Sequence, residues 1–170
     1  MRAVRELLTR RRRSDQQAPS KRGVMSEACA STRKPENSGA VIELRAPADA
    51  SQLGPIRSVA ASLAEQCGMT LDQIADLRLA VDEACSTLFR IALTGSEVVC
   101  RFRVSPDSLH FAACVATEGE DVDGPYERRF GWHVLRTLTD DLKLHRHHGN
   151  GDGAYSSVSI SFTVRCGDAA

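Results

Sequence analysis

Residues 77–90 read LRLAVDEACSTLFR. Leu77, Val81, Ala84, Cys85 and Leu88 recur at three- and four-residue intervals, and Ile74 and Ile91 extend the row at both ends. Apolar residues at that period line one face of a helix. Glu83, Thr87 and Arg90 fall at i, i+4 and i+7, so they share a different face. This predicts a helix from about Leu71 to Leu93, packed on one side and open to a pocket on the other. Thr70 is its N-cap, and Gln73 three positions later completes a capping box. Gly95 ends it.

Upstream, Leu53, Ile56, Ala60 and Leu63 predict another helix, entered by a turn at Pro47 and Asp49 and stopped by Gly68. Before it, Ile42 and Leu44 alternate with Glu43 and Arg45, as in a half-buried strand. Downstream, Val98, Cys100, Phe102 and Val104 alternate with Val99, Arg101 and Arg103. Pro106-Asp107 is a turn signal, and Leu109, Phe111, Ala113 and Val115 carry the next apolar face, which predicts a hairpin. Residues 117–129 are acidic and glycine-containing and read as a loop. A short helix follows from about Trp132, with Val134, Leu135 and Leu138 inward. Leu142 and Leu144 suggest a strand, with Asp140-Asp141 as the solvated end of the helix before it. Val158, Ile160, Phe162 and Val164 make the last strand, with Ser157, Ser159 and Ser161 on its solvated face. The order β-α-α-β-β-α-β-β gives an α+β two-layer sandwich: a mainly antiparallel mixed sheet with helices on one face.

Of 170 residues, 42% are hydrophobic and 26% charged, as in a soluble globular chain. The net charge of zero hides an asymmetry. Residues 1–38 hold ten Lys/Arg and four Asp/Glu; residues 39–170 hold twelve and eighteen. We therefore expect a disordered basic tail over 1–38, a folded acidic domain over 39–166, and a short tail over 167–170. An acidic domain is ill suited to a phosphate backbone but suited to a basic protein. No apolar run approaches the ~20 residues of a membrane span, and no secretory h-region follows the basic start. The six cysteines, at 29, 67, 85, 100, 114 and 166, form no CxxC pair. They read as reduced core thiols in a cytoplasmic protein.

The stretch 77–90 resembles the N-box helix of RsbW-type anti-sigma factors, which are serine protein kinases of the histidine-kinase-like (GHKL) ATPase superfamily. Residues 130–141, FGWHVLRTLTDD, resemble that family's glycine-box helix. The resemblance spans about residues 40–165 and implies the same fold. It also implies site residues. Glu83 matches the general base toward a substrate serine. Thr87 stands where the family has a Mg²⁺-binding asparagine, with Arg90 on the same face. Thr117 stands at the aspartate that reads adenine, and Gly119 at a glycine of that motif. Gly131 is what remains of the phosphate-cradling glycines, beside Arg128 and Arg129, and Gly153 matches a further glycine near the nucleotide. The base is thus kept, while the metal and adenine ligands are replaced. Mg-ATP is the cofactor implied by the family, and these replacements weaken it.

Arg57 matches an arginine on the first helix that the family uses for its sigma factor and anti-anti-sigma factor. The sequence therefore reads first as a binding module: an anti-sigma factor that sequesters a stress- or development-type sigma factor and is released by an anti-anti-sigma partner. The alternative is an active serine kinase acting on that partner. A homodimer is expected from the resemblance; direct nucleic-acid or membrane binding is not expected. His145, His147 and His148 read as a polar strand end rather than a metal cluster. Trp132 reads as core or as a plug in the pocket.

Overall fold

The computed structural model describes residues 40–117, 130–148 and 156–166. The expected tails over 1–38 and 167–170 lie outside these residues. β1 (Ala40–Pro47) leads through a short 3-10 turn (Ala50–Gln52) into α1 (Leu53–Gln66) and α2 (Leu71–Phe89). β2 (Glu97–Ser105) and β3 (Ser108–Thr117) follow, then α3 (Phe130–Leu138), β4 (Asp140–His147) and β5 (Ser156–Arg165). The strands form one five-stranded sheet in the order β1-β2-β3-β5-β4. All four pairings are antiparallel, so no parallel pair makes the sheet mixed.

Local chemistry explains most boundaries. The Asp49 side chain accepts from Ser51 N at 2.8 Å and caps the 3-10 turn. Gly68, at φ 71°, makes the left-handed bend that lets α2 fold back on α1. At the start of α2, Thr70 and Gln73 form the reciprocal capping box. α2 ends at Phe89, a turn earlier than its apolar pattern. The chain leaves there because the Leu93 N–H is taken by Ala116 O of β3, at 2.8 Å. β4 starts at Asp140, so Asp140 and Asp141 belong to a strand and not to a helix end. Asp141 has φ 50°, and the β4–β5 register shifts between Asp140 and Lys143. That irregularity hides a strand start from any period-two pattern.

The core lies between the helices and one face of the sheet. Phe102, Phe111 and Phe162 are directly opposite one another on β2, β3 and β5, with ring centroids 5.1 Å apart at both steps. Ile56, Leu77, Val81, Leu88, Leu109, Leu135 and Ile160 close around them, each at most 1% exposed. Trp132 joins this cluster at 9% exposed, as the core reading expected. Val134 and Leu138 are only half-buried.

The outer sheet face is less solvated than its polar residues suggest. Ser157 and Ser159 are 1% and 2% exposed. Ser159 lies between Cys114 and His145 in register, and Ser157 between Ala116 and His147. The longer histidine side chains of β4 flank both serines on one side. Among the described residues Cys67, Cys85, Cys100 and Cys166 are free, whereas Cys114 is disulfide-bonded, unlike the all-reduced expectation. A hydrogen bond with Cys100, reinforced by burial, pushes the Cys85 thiol well up. Burial, and a hydrogen bond with Cys67, push Cys166 up to about 12.

His110 sits on this outer face opposite Arg103 and Thr163. Burial, helped by the charges of Arg103 and Lys143 and opposed by Asp141, lowers its pKa below 6.5. A base with a folded pKa below its unfolded one contributes stability above the unfolded value, lost as pH falls through the folded one. Urea midpoints should therefore drop as pH falls below about 6.5, and His110→Gln should remove part of that drop. An unchanged pH profile in the variant would exclude His110 as its source.

Candidate functional site

The capping box and the Gly68 bend fix the axis and the rotation of α2. Its buried row, Ile74, Leu77, Ala80, Val81, Ala84, Cys85 and Leu88, faces the sheet. Glu83 then falls on the side toward α3 and is half-buried. Its carboxylate packs against Gly131 in the first turn of α3. A Cβ at position 131 would overlap the Glu83 carboxyl group and come within 2.9 Å of its Cγ. A larger residue at 131 would thus make the Glu83 side chain swing aside, while the backbone conformation itself does not call for glycine. The negative charge of Glu83 also lies at the positive end of the α3 dipole, which favours it.

Thr87 is one turn beyond Glu83, but it does not open into a pocket. It is 7% exposed, and its hydroxyl accepts from Arg90 Nη2 at 3.2 Å. Arg90, the C-cap of α2, is itself exposed. Thr117 ends β3. By strand alternation it follows Leu109, Phe111, Ala113 and Val115 on the helix-facing side. It is 1% exposed, and its hydroxyl has no hydrogen-bond partner among the described residues. The Leu93–Ala116 hydrogen bond places the exit of α2, with Arg90, at the same end of the layer as Thr117. Glu83 and Gly131 are brought into contact, as are Thr87 and Arg90. Gly119, Arg128, Arg129 and Gly153 lie outside the described residues.

Arg57 is on α1 and is not a free, solvated side chain. Its Nη1 donates to Asp82 Oδ2 at 2.7 Å, and the two side chains are 38% and 24% exposed. The second carboxylate oxygen, Asp82 Oδ1, is buried without a partner among the described residues. Asp82 thus ties α1 to α2 directly beside Glu83, a role that the sequence reading missed. A signal for it existed. Arg57 and Asp82 stand roughly three to four turns on either side of the Gly68 bend, so an αα-hairpin brings them together. Leu79, three residues before Asp82 on the same helix surface, is 50% exposed.

Other candidates resolve plainly. His145 and His147 stack at 6.5 Å. Among the described residues no group of three His, Cys, Asp or Glu is placed to hold a metal ion. No described helix is long and apolar enough to cross a membrane.

Comparison with known proteins agrees with this geometry. The family model described as "Histidine kinase-like ATPase domain" matches residues 46–155. The anti-sigma-F factor RsbW of Mycobacterium tuberculosis (strain ATCC 25618 / H37Rv) is 32% identical over 145 residues, covering 84% of each chain. The serine-protein kinase RsbW of Bacillus subtilis (strain 168) is 32% identical over 135 residues, covering 67% of this chain and 83% of that one. With the α+β layer, the two helix motifs and matches of this length, the chain belongs to the histidine kinase-like ATPase family, among its RsbW proteins.

Proposed function

We propose that this protein is an anti-sigma factor. It binds an alternative sigma factor of the stress or development type, keeps it from RNA polymerase in the cytoplasm, and gives it up to an anti-anti-sigma partner. The observation that carries this reading is the anti-sigma-F relative, matched over 84% of both chains. A surface for the task is available on the helix layer. Arg57 and Leu79 flank Asp82, so a charged anchor and an exposed apolar side chain adjoin there. Arginine and desolvated apolar contacts dominate protein interfaces.

Sequestration needs no phosphoryl transfer, and the site supports that economy. Thr87 replaces the expected metal ligand and is already bonded to Arg90. Thr117 replaces the adenine-reading carboxylate with a neutral hydroxyl. We read the Mg-ATP site as degenerate. The domain is also proposed to act as a homodimer. β1 is an edge strand with Val41 53% and Ile42 39% exposed, and such edges pair with other chains.

The test is titration of the full chain against each alternative sigma factor of the host, by calorimetry. One of them should bind, and Arg57→Ala should weaken it by about tenfold or more, the scale of a charged interface contact. Binding unaffected by that change would move the surface elsewhere. A second reading is the kinase of the family, favoured by Glu83 on the α3-facing side of α2, against Gly131. It predicts transfer of phosphate from ATP to the anti-anti-sigma serine, abolished by Glu83→Ala. No transfer above that control would end it.

A further inference from the structure

We propose that Cys67 and Cys166 are an oxidant-sensing pair, which a peroxide converts to a disulfide that staples the end of α1 to the end of β5. This chemistry is independent of the anti-sigma reading. Three observations carry it.

The first is contact between two fixed points of the chain. Cys67 is the C-cap of α1, and its N–H is held by Leu63 O at 3.1 Å. Cys166 directly follows β5, and its N–H is held by Asp107 O of the β2–β3 turn at 2.7 Å. Cys166 belongs to the core cluster, Cys67 packs against that cluster, and the two thiols share a hydrogen bond. Both are free. The sulfurs thus meet on backbones that are already pinned, as a disulfide requires.

The second is access. Cys85 and Cys100 share a hydrogen bond too, but both are fully buried, so no oxidant reaches them. Cys67 is half-buried beside the Gly68 bend, whereas Cys166 is 5% exposed. A reachable sulfur backed by a second, shielded one is the arrangement of a sensing cysteine and its resolving partner.

The third is the place of the proton. Burial, and then the hydrogen bond with Cys67, keep it on Cys166. Cys67 is therefore the accepting sulfur and Cys166 the donor beside it. In the reaction the Cys67 sulfur attacks one oxygen of hydrogen peroxide. The O–O bond breaks, Cys67 becomes a sulfenic acid, and one water leaves. Cys166 then attacks the Cys67 sulfur and gives up its proton. The S–S bond forms, the S–O bond breaks, and a second water leaves. Two thiols lose two electrons and two protons, and the peroxide takes them up.

The bond encloses nearly the whole folded domain, the long-loop case in which a cross-link restricts the unfolded chain most. It also ties the helix layer to the sheet, and α1 carries Arg57 about three turns before Cys67.

The experiment treats the full chain, reduced with dithiothreitol and then freed of it, with one equivalent of hydrogen peroxide, and maps its peptides without further reduction. The expected product is a linked Cys67–Cys166 peptide, lighter by two hydrogens and split again by dithiothreitol. Its formation should raise the thermal midpoint by about 10 °C. In Cys166→Ser the same treatment should leave Cys67 as a sulfenic acid that dimedone captures, with no rise in the midpoint. The map of the unaltered chain needs no variant, and it stands if serine at position 166 prevents folding. Four results would overturn the proposal: a Cys67 that stays a thiol under peroxide, a Cys67 linked to any other cysteine, a Cys67 carried on to the sulfinic acid without linkage, or a Cys67–Cys166 link that leaves the midpoint unchanged.

Discussion

Phe111→Ala is expected to lower the stability of the domain by about 3–5 kcal/mol. Phe111 is fully buried in the middle of the sheet. It is the only ring that touches both others, with centroids 5.1 Å from Phe102 and from Phe162. Truncation removes its apolar burial and leaves a cavity that two strands cannot close, because backbone pairing on both sides fixes their spacing. It also ends two tilted aromatic contacts, each worth about 0.5–1.5 kcal/mol. Domains of this size have about 5–15 kcal/mol in all, so the variant should sit close to its threshold. Phe111→Leu should cost clearly less. Urea denaturation checks both, and a loss under about 1 kcal/mol for the alanine variant would mean the three rings are not the centre of the core.

Gly131→Ala should change sign with its background. Alone, the added methyl meets the Glu83 carboxyl group and forces that side chain out. The first turn of α3 then loses a nearby negative charge, worth about 0.3–1 kcal/mol, and the packing beneath it. A net loss of about 1 kcal/mol is expected, despite the better helix propensity of alanine. In a Glu83→Ala background the obstacle is gone. The same substitution should then stabilise by about 0.5–1 kcal/mol from propensity alone. The coupling is therefore about 2 kcal/mol, within the range of residues in direct contact. Equal effects in both backgrounds would place Glu83 away from Gly131. They would also remove the reason why a glycine stands at the head of this helix.

The elements legible in the sequence were those that local chemistry decides. The capping box at Thr70 and Gln73, the bend at Gly68 and the hairpin around Pro106-Asp107 each need only a few adjacent residues. The apolar faces of β1, β2, β3 and β5 needed only alternation. What escaped was tertiary. The Thr87 burial depends on how far α2 rotates against the sheet, which its position on a helical wheel does not fix. The Glu83–Gly131 contact joins two helices 48 positions apart in the sequence. The Arg57–Asp82 pair became readable only as the consequence of a hairpin of known length. Asp140 and Asp141 looked like a helix end because the bulged start of β4 breaks alternation. Ser157 and Ser159 looked solvated because a strand's own pattern carries no record of the long histidines on the strand beside it.

The site follows the same division. Family motifs indicated where Glu83, Thr87, Thr117 and Gly131 would stand. Their present chemistry came from contacts: a carboxylate resting on a helix terminus, a hydroxyl held by a guanidinium, and another hydroxyl buried without a partner among the described residues. On our reading these suit a domain whose work is to hold a partner, with Arg57 and Leu79 around Asp82 as its contact.

The most direct measurement is transcription in vitro by RNA polymerase carrying the host's stress- or development-type sigma factors, one at a time, with the full chain added in equimolar amount and no ATP. Transcription from one of them should stop, and it should resume when the unphosphorylated anti-anti-sigma factor is supplied. Undiminished transcription with every alternative sigma factor, in the presence of ATP as well as its absence, would contradict the account.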